Sequence, residues 1–199
     1  MDAHATPHRK SKIVHRTFDD AVECASGSVD ETHALGERLG ALLRPGDVVA
    51  LSGELGSGKT TLIQGMAKGM GKDPAIVKSP TFVLMREYSG DVPIIHIDGY
   101  RLGGASAASW LDLDLIFAPG KVTLIEWAER FEGLLPVDRL ELSLSHVSTH
   151  RRRLKAMAHG ARGKALLEAW QHANATTRES HEPSPMPIAE EGNDGDSRD

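Results

Sequence analysis

The sequence predicts an α/β fold, three layers deep around a central sheet of mixed parallel and antiparallel strands, and three observations lead to that class. Short apolar runs closed by a glycine or an acid, DVVALSG at 47–53 and KVTLIEW at 121–127, read as strands buried on both faces of a sheet. The first of them passes straight into GELGSGKTTL at 53–62, so the order is strand, glycine loop, helix. FVLMREY and VPIIHID are separated only by SGD at 89–91, which argues for a hairpin and hence some antiparallel pairing.

Each element has its own signal. Leu35, Leu39, Leu42 and Leu43 recur at helical spacing behind the capping-box pair Ser28 and Glu31, and Pro45-Gly46 stops the helix. TTLIQGMAKGMG, beginning at Thr60, reads as a second helix ending at Gly69 and Gly71. RLELSLSHV at 139–147 and RRLKAMA at 152–158 alternate, as strands with one wet face do. Residues 162–172 are expected to form a last short helix. No fixed-period repeat or heptad array is present, which excludes solenoids and coiled coils.

A chain of 199 residues suits one packed domain with tails. The expected division is a disordered segment at 1–12, one folded domain at 13–172 and a disordered acidic tail at 173–199. Residues 176–199 hold seven acidic and two basic residues, so the net charge of −5 lies wholly there. Without a net-basic core, strong direct RNA binding is not expected, although HRRRLK at 150–155 is a local basic cluster. Cys24 is the one cysteine, which leaves no disulfide framework and fits a reducing compartment. The first residues lack an apolar leader and no run of 18 apolar residues occurs, so a soluble, cytoplasmic protein is expected, with no membrane contact.

Gly53, Gly58, Lys59 and Thr60 fit G-x-x-x-x-G-K-[ST]. Glycines at that spacing let backbone N–H groups curl around a phosphate chain at a helix N-terminus; without a ligand the same pattern is a glycine-rich turn. Lys59 would reach the outer phosphates, and the Thr60 hydroxyl would ligate Mg²⁺, which prefers hard oxygen donors. Such a site also needs a carboxylate at the end of a neighbouring strand. Asp98, closing IIHID, and Glu126, closing TLIE, both qualify; either could instead be an ordinary strand-end acid. His96 shares a strand face with Asp98 and reads as a structural histidine more readily than as a base. Arg101 could pair with Asp98 or a phosphate or lie on the surface, and Trp127 reads as core or interface. Ser79 and Thr81 flank Pro80 in a loop that either touches the nucleotide or is simply a proline-fixed turn.

Taken together, GELGSGKTTL, SPTFVLMREY, HIDGYRL and LIEWAERFEGLLPVDRLEL resemble the bacterial tRNA threonylcarbamoyladenosine biosynthesis ATPase family, TsaE, over about residues 28–155. The resemblance implies a P-loop ATPase that binds ATP or ADP with Mg²⁺ and hydrolyses ATP slowly on its own. It also implies that the chain works beside TsaD-like and TsaB-like proteins in making threonylcarbamoyladenosine at position 37 of tRNAs reading ANN codons, meeting tRNA only through that complex. Carried onto this sequence, the nucleotide-binding positions are Gly53, Glu54, Leu55, Gly56, Ser57, Gly58, Lys59, Thr60 and Thr61, with Ser79 and Thr81 in a switch-like loop. Thr60 and Glu126 match the Mg²⁺ ligands, and Asp98 matches the acid implicated in hydrolysis. Two stretches depart from the family pattern: GGASAASWLDLDLIFAPGK at 103–121 and the acidic tail.

Two other classes compete. A small-molecule kinase could use the same loop, but such enzymes usually close an arginine-rich lid on the phosphates, and no lid-sized, arginine-rich insertion lies between residues 60 and 126. A nucleotide-sensing interaction module would differ by lacking useful turnover. No N-K-x-D motif is present, which disfavours GTP.

Overall fold

A computed structural model describes residues 21–102 and 111–179. The segment 1–12, most of the acidic tail and the stretch 103–110 lie outside the described residues. In chain order the elements are β1 (Ala21–Ser26), α1 (Val29–Gly40), β2 (Val48–Gly53), α2 (Lys59–Gly69), β3 (Met85–Tyr88) and β4 (Ile94–Asp98). They continue with α3 (Leu113–Ile116), β5 (Val122–Glu126), β6 (Arg139–His146), β7 (Arg152–His159) and α4 (Gly160–Glu179).

The seven strands form one mixed sheet in the order β1-β7-β6-β2-β5-β4-β3. The inner strands β6, β2, β5 and β4 run parallel, while β7 and β1 on one edge and β3 on the other pair antiparallel. Burial follows this plan. Every residue of β4 and β5 is buried, as strands covered on both faces require, whereas β6 and β7 alternate. The hairpin expected from SGD is present, with Met85 opposite Ile97 and Tyr88 opposite Ile94. Its first strand starts only at Met85, because the chain turns at Pro80–Leu84 and Leu84 takes a left-handed φ of 67°.

One face of the sheet carries α1, α2 and α4 over a core that includes Leu35, Leu39, Leu62, Met66, Leu124, Leu142 and Trp170. Ser28 caps α1 by accepting from the Glu31 N–H at 3.0 Å, and the Glu31 carboxylate answers by accepting from the Gly27 N–H. The other face is covered over β2, β5 and β4 by α3, by the 3₁₀ turn Ala128–Phe131 and by Leu102. Over β6, β7 and β1 it bears Glu23, Lys155 and Ser143 in one cross-strand row, so among the described residues the third layer spans only part of the sheet.

Helices α1 and α2 meet through glycines. A Cβ at Gly36 would lie 2.2 Å from Leu62 O, at Gly40 2.0 Å from Met66 O, at Gly65 2.1 Å from His33 O, and at Gly69 2.1 Å from Glu37 O. The backbones therefore touch at a spacing that no side chain permits.

The last helix corrects the domain boundary. It runs to Glu179, not 172, so 173–179 belong to the folded domain and not to the tail. Asn174 is buried there and its Oδ1 accepts from Arg38 Nε at 2.5 Å, while Trp170 Nε1 donates to Leu35 O at 3.1 Å. The strand β1 was not expected from the sequence; it places Cys24 in the core.

Candidate functional site

Parallel register brings the site together at the C-terminal ends of β2, β5 and β4. Leu51 lies opposite Glu126, and Glu126 lies opposite Asp98, so two acids from different strands stand side by side, level with a point two residues before the glycine loop leaves β2. The loop leaves β2 at Gly53, whose Cβ, had it one, would lie 2.2 Å from Leu144 O of β6. Gly56 and Gly58 take φ values of 74° and 102°, a left-handed path that glycine adopts without strain. Gly58 caps α2 with no side-chain hydrogen bond, so the orphan N–H groups of the first helical turn stay available to an anion. Gly58, Lys59, Thr60 and Thr61 line a cavity of about 460 Å³ together with Ser79, Thr81, Asp98 and Glu126.

Lys59 is only 4% exposed. Its ammonium donates to Gly53 O at 2.7 Å and Glu54 O at 2.9 Å, and lies 4.0 Å from the centre of the Trp127 ring. Burial lowers its pKa from the ordinary lysine value, and the charges of Glu126, Glu129 and Asp98 offset only part of that. Thr60 Oγ1 donates to the Glu126 carboxylate, at 2.9 Å from Oε1 and 3.0 Å from Oε2. Glu126 Oε1 also meets His96 Nε2 at 3.0 Å. Asp98 accepts on Oδ2 from Ser79 Oγ at 2.5 Å and from Thr81 Oγ1, and on Oδ1 from the Tyr100 N–H at 2.9 Å.

Most sequence-derived site residues thus converge. Leu55, Gly56, Thr61, Ser79 and Thr81 line the cavity, whereas Gly53, Glu54 and Ser57 do not. Gly53 and Glu54 act through their carbonyls on Lys59, and Ser57 turns its hydroxyl inward, where it is buried without a partner among the described residues. Arg101 stacks on Phe82 at 4.3 Å and is not among the lining residues. Sequence reasoning missed Trp127 and Tyr100, which line the cavity with ring centres 5.0 Å apart. Trp127 reaches Lys59 from a left-handed backbone of φ 57°, a turn that no local pattern announces.

A smaller cavity of about 150 Å³ shares Gly56, Gly58 and Thr61 with the first and continues to Thr32, Thr149, His150 and Arg152. A third, of about 570 Å³, lies on the far face of the sheet. Its lining carries Glu129, Glu132 and Glu141 against the single arginine Arg139, with Glu141 2.8 Å from Arg139 and 3.2 Å from His159, and it has no phosphate-binding loop.

A nucleotide-binding loop tied to a strand-end acid is common to many proteins; comparison narrows the field. The family model described as threonylcarbamoyl adenosine biosynthesis protein TsaE matches residues 26–154. The chain belongs to the TsaE family. The tRNA threonylcarbamoyladenosine biosynthesis protein TsaE of Bacillus subtilis is 39% identical over 140 residues, covering 70% of this chain and 87% of that one. The Streptomyces coelicolor TsaE is 47% identical over 114 residues, covering 55% of this chain and 76% of its own. Among solved structures, that of Bacillus subtilis YdiB superposes with a TM-score of 0.68 at 32% identity, over 80% of this chain and 99% of that one. The TsaE match ends five residues before β7 closes, leaving β7's end and α4 outside it.

Proposed function

We propose that this TsaE-family chain binds and hydrolyses ATP with Mg²⁺ as a partner protein in the threonylcarbamoyladenosine modification of tRNA. The observation that carries the reading is the pair of hydrogen bonds from Thr60 to Glu126, which joins the hydroxyl of the phosphate-binding loop to the carboxylate of the adjacent strand. Those hard oxygen donors fit Mg²⁺, which binds through one or two protein oxygens, phosphates and water. Among the described residues no three His, Cys, Asp or Glu side chains converge as a metal cage, and Mg²⁺ held this way needs none.

In this reading Lys59 leaves the Gly53 and Glu54 carbonyls to meet the outer phosphates, and the orphan N–H groups of α2 hold the rest of the chain. Thr60 and Glu126 hold the metal, whose chemistry is to neutralise charge developing on the phosphates. Asp98, with Ser79 and Thr81 on its carboxylate, orients the attacking water. Because Thr61 borders both cavities, the nucleoside runs from it toward Thr32, Thr149 and Arg152. The relatives' names supply the process, and TsaD-like and TsaB-like proteins are the expected partners, with tRNA reached through them. No helix of the described residues is long and apolar enough to cross a membrane, and a tRNA-modifying role belongs in the cytoplasm.

The kinase reading is weaker because, among the described residues, Lys59 is the one cation lining the cavity. The test is phosphate release measured alone and with TsaD-like and TsaB-like proteins, alongside their recovery on the immobilised chain with ATP and with ADP. Stimulated release and nucleotide-dependent recovery are expected. Phosphoryl transfer to a small acceptor, or no ATP affinity, would overturn the reading.

A further inference from the structure

His96 is fully buried in the middle of β4, one alternation before Asp98 and on the same strand face. Its Nε2 lies 3.0 Å from Glu126 Oε1, and its Nδ1 is buried with no partner among the described residues. The tautomer that leaves no N–H unsatisfied donates from Nε2 to the Glu126 carboxylate and turns a bare lone pair into the core. Around it, Ile95 and Ile97 flank it in the strand, Leu124 of β5 and Arg86 of β3 are its register partners, and the Tyr88 ring centre is 6.2 Å away. An aliphatic side chain would fill that space without burying an unpartnered nitrogen. What the imidazole adds is one hydrogen bond, and that bond ends on Glu126.

We propose that His96 is a positioning residue that fixes the Glu126 carboxylate from behind, so that its free lone pairs face Thr60 and the metal bound there. Glu126 is then gripped from two sides, by Thr60 Oγ1 at the cavity and by His96 Nε2 in the core. A carboxylate held this way keeps one rotamer whether or not nucleotide is present, as outer-shell partners do for metal ligands. The inference rests on the Mg²⁺-ligand reading of Glu126.

The test compares His96→Gln, whose amide nitrogen reaches the Nε2 position, with His96→Leu, which fills the space without a donor. ATP affinity is measured with Mg²⁺ and with the metal chelated, and thermal unfolding is followed without nucleotide. His96→Gln is expected to keep Mg²⁺-dependent affinity within roughly threefold, and His96→Leu to lose roughly tenfold or more of it, with metal-free affinity unchanged. In a Glu126→Gln background, His96→Leu should add no further loss. His96→Asn, too short to reach Glu126, repeats the comparison if the Leu variant melts below the assay temperature, and should behave as Leu does. Equal losses in the Gln and Leu variants, or a loss that adds fully to that of Glu126→Gln, would overturn the positioning role. Unchanged Mg²⁺ dependence in Glu126→Gln alone would overturn the metal-ligand reading and this inference with it.

Discussion

Thr60 Oγ1 lies 2.9 and 3.0 Å from the two carboxylate oxygens of Glu126, so the first turn of α2 is tied to the end of β5. Removing either partner should act on the metal before it acts on the phosphates. Thr60→Ala and Glu126→Ala are each expected to lose Mg²⁺-dependent ATP affinity while retaining the affinity seen with the metal chelated. Titrating nucleotide in both conditions checks this. Loss of the metal-free part as well would mean that the pair holds the loop's shape and not an ion.

Asp98 should fail differently. Its carboxylate accepts from Ser79, Thr81 and the Tyr100 backbone, and a water-orienting group matters chiefly in the transition state. Asp98→Asn is expected to bind ATP normally and to release phosphate roughly a hundredfold more slowly in the presence of partner proteins. Equilibrium binding set beside single-turnover phosphate release separates the two roles.

Burial holds the Lys59 ammonium below the ordinary lysine value of 10.5, and a phosphate chain would stabilise its charged form. Binding therefore takes up a proton once pH exceeds the ligand-free value, and ATP affinity should fall with rising pH from a point below 10.5. Lys59→Met should bind weakly and lack that slope. Affinity measured from about pH 7 to about pH 10 reads it, and a flat wild-type profile would place the ammonium away from the phosphates.

The end of α4 can be tested by truncation. Asn174 is buried and bonded to Arg38, so a chain ending at 172 should be less stable than one ending at 179 by about 1–3 kcal/mol. Denaturant unfolding of the two proteins decides it. Equal stabilities would return 173–179 to the tail.

Where the sequence was readable, the signal was local. The glycine loop is contiguous, and the acids at 98 and 126 were singled out by the rule that ligands bind at strand C-terminal ends. What escaped depends on distant contacts. AVECAS becomes a strand only because β7, formed much later in the chain, offers it an edge. Residues 173–179 look like tail until Arg38 and Leu35 of α1 hold the helix that contains them. His96 reads as structural because nothing in IIHID says that the Glu126 carboxylate, two residues along the neighbouring strand, will reach its imidazole. Gly69 was legible as part of a helix ending, whereas its use with Gly65 as a contact face needed Gly36 and Gly40 opposite.

Those four glycines leave α1 and α2 no room to move closer or to slide past one another without clashing, since backbone already rests on backbone along the crossing. If nucleotide binds as proposed, the helix beneath its phosphates is held against α1, and a sliding stroke of α2 is a poor way to transmit a change of nucleotide. The parts left free to report it are on the opposite wall: Ser79 and Thr81, whose hydroxyls can exchange Asp98 for a phosphate oxygen, and the exposed Phe82 and Val83 that follow them. A partner protein that distinguishes ATP from ADP would read the molecule there.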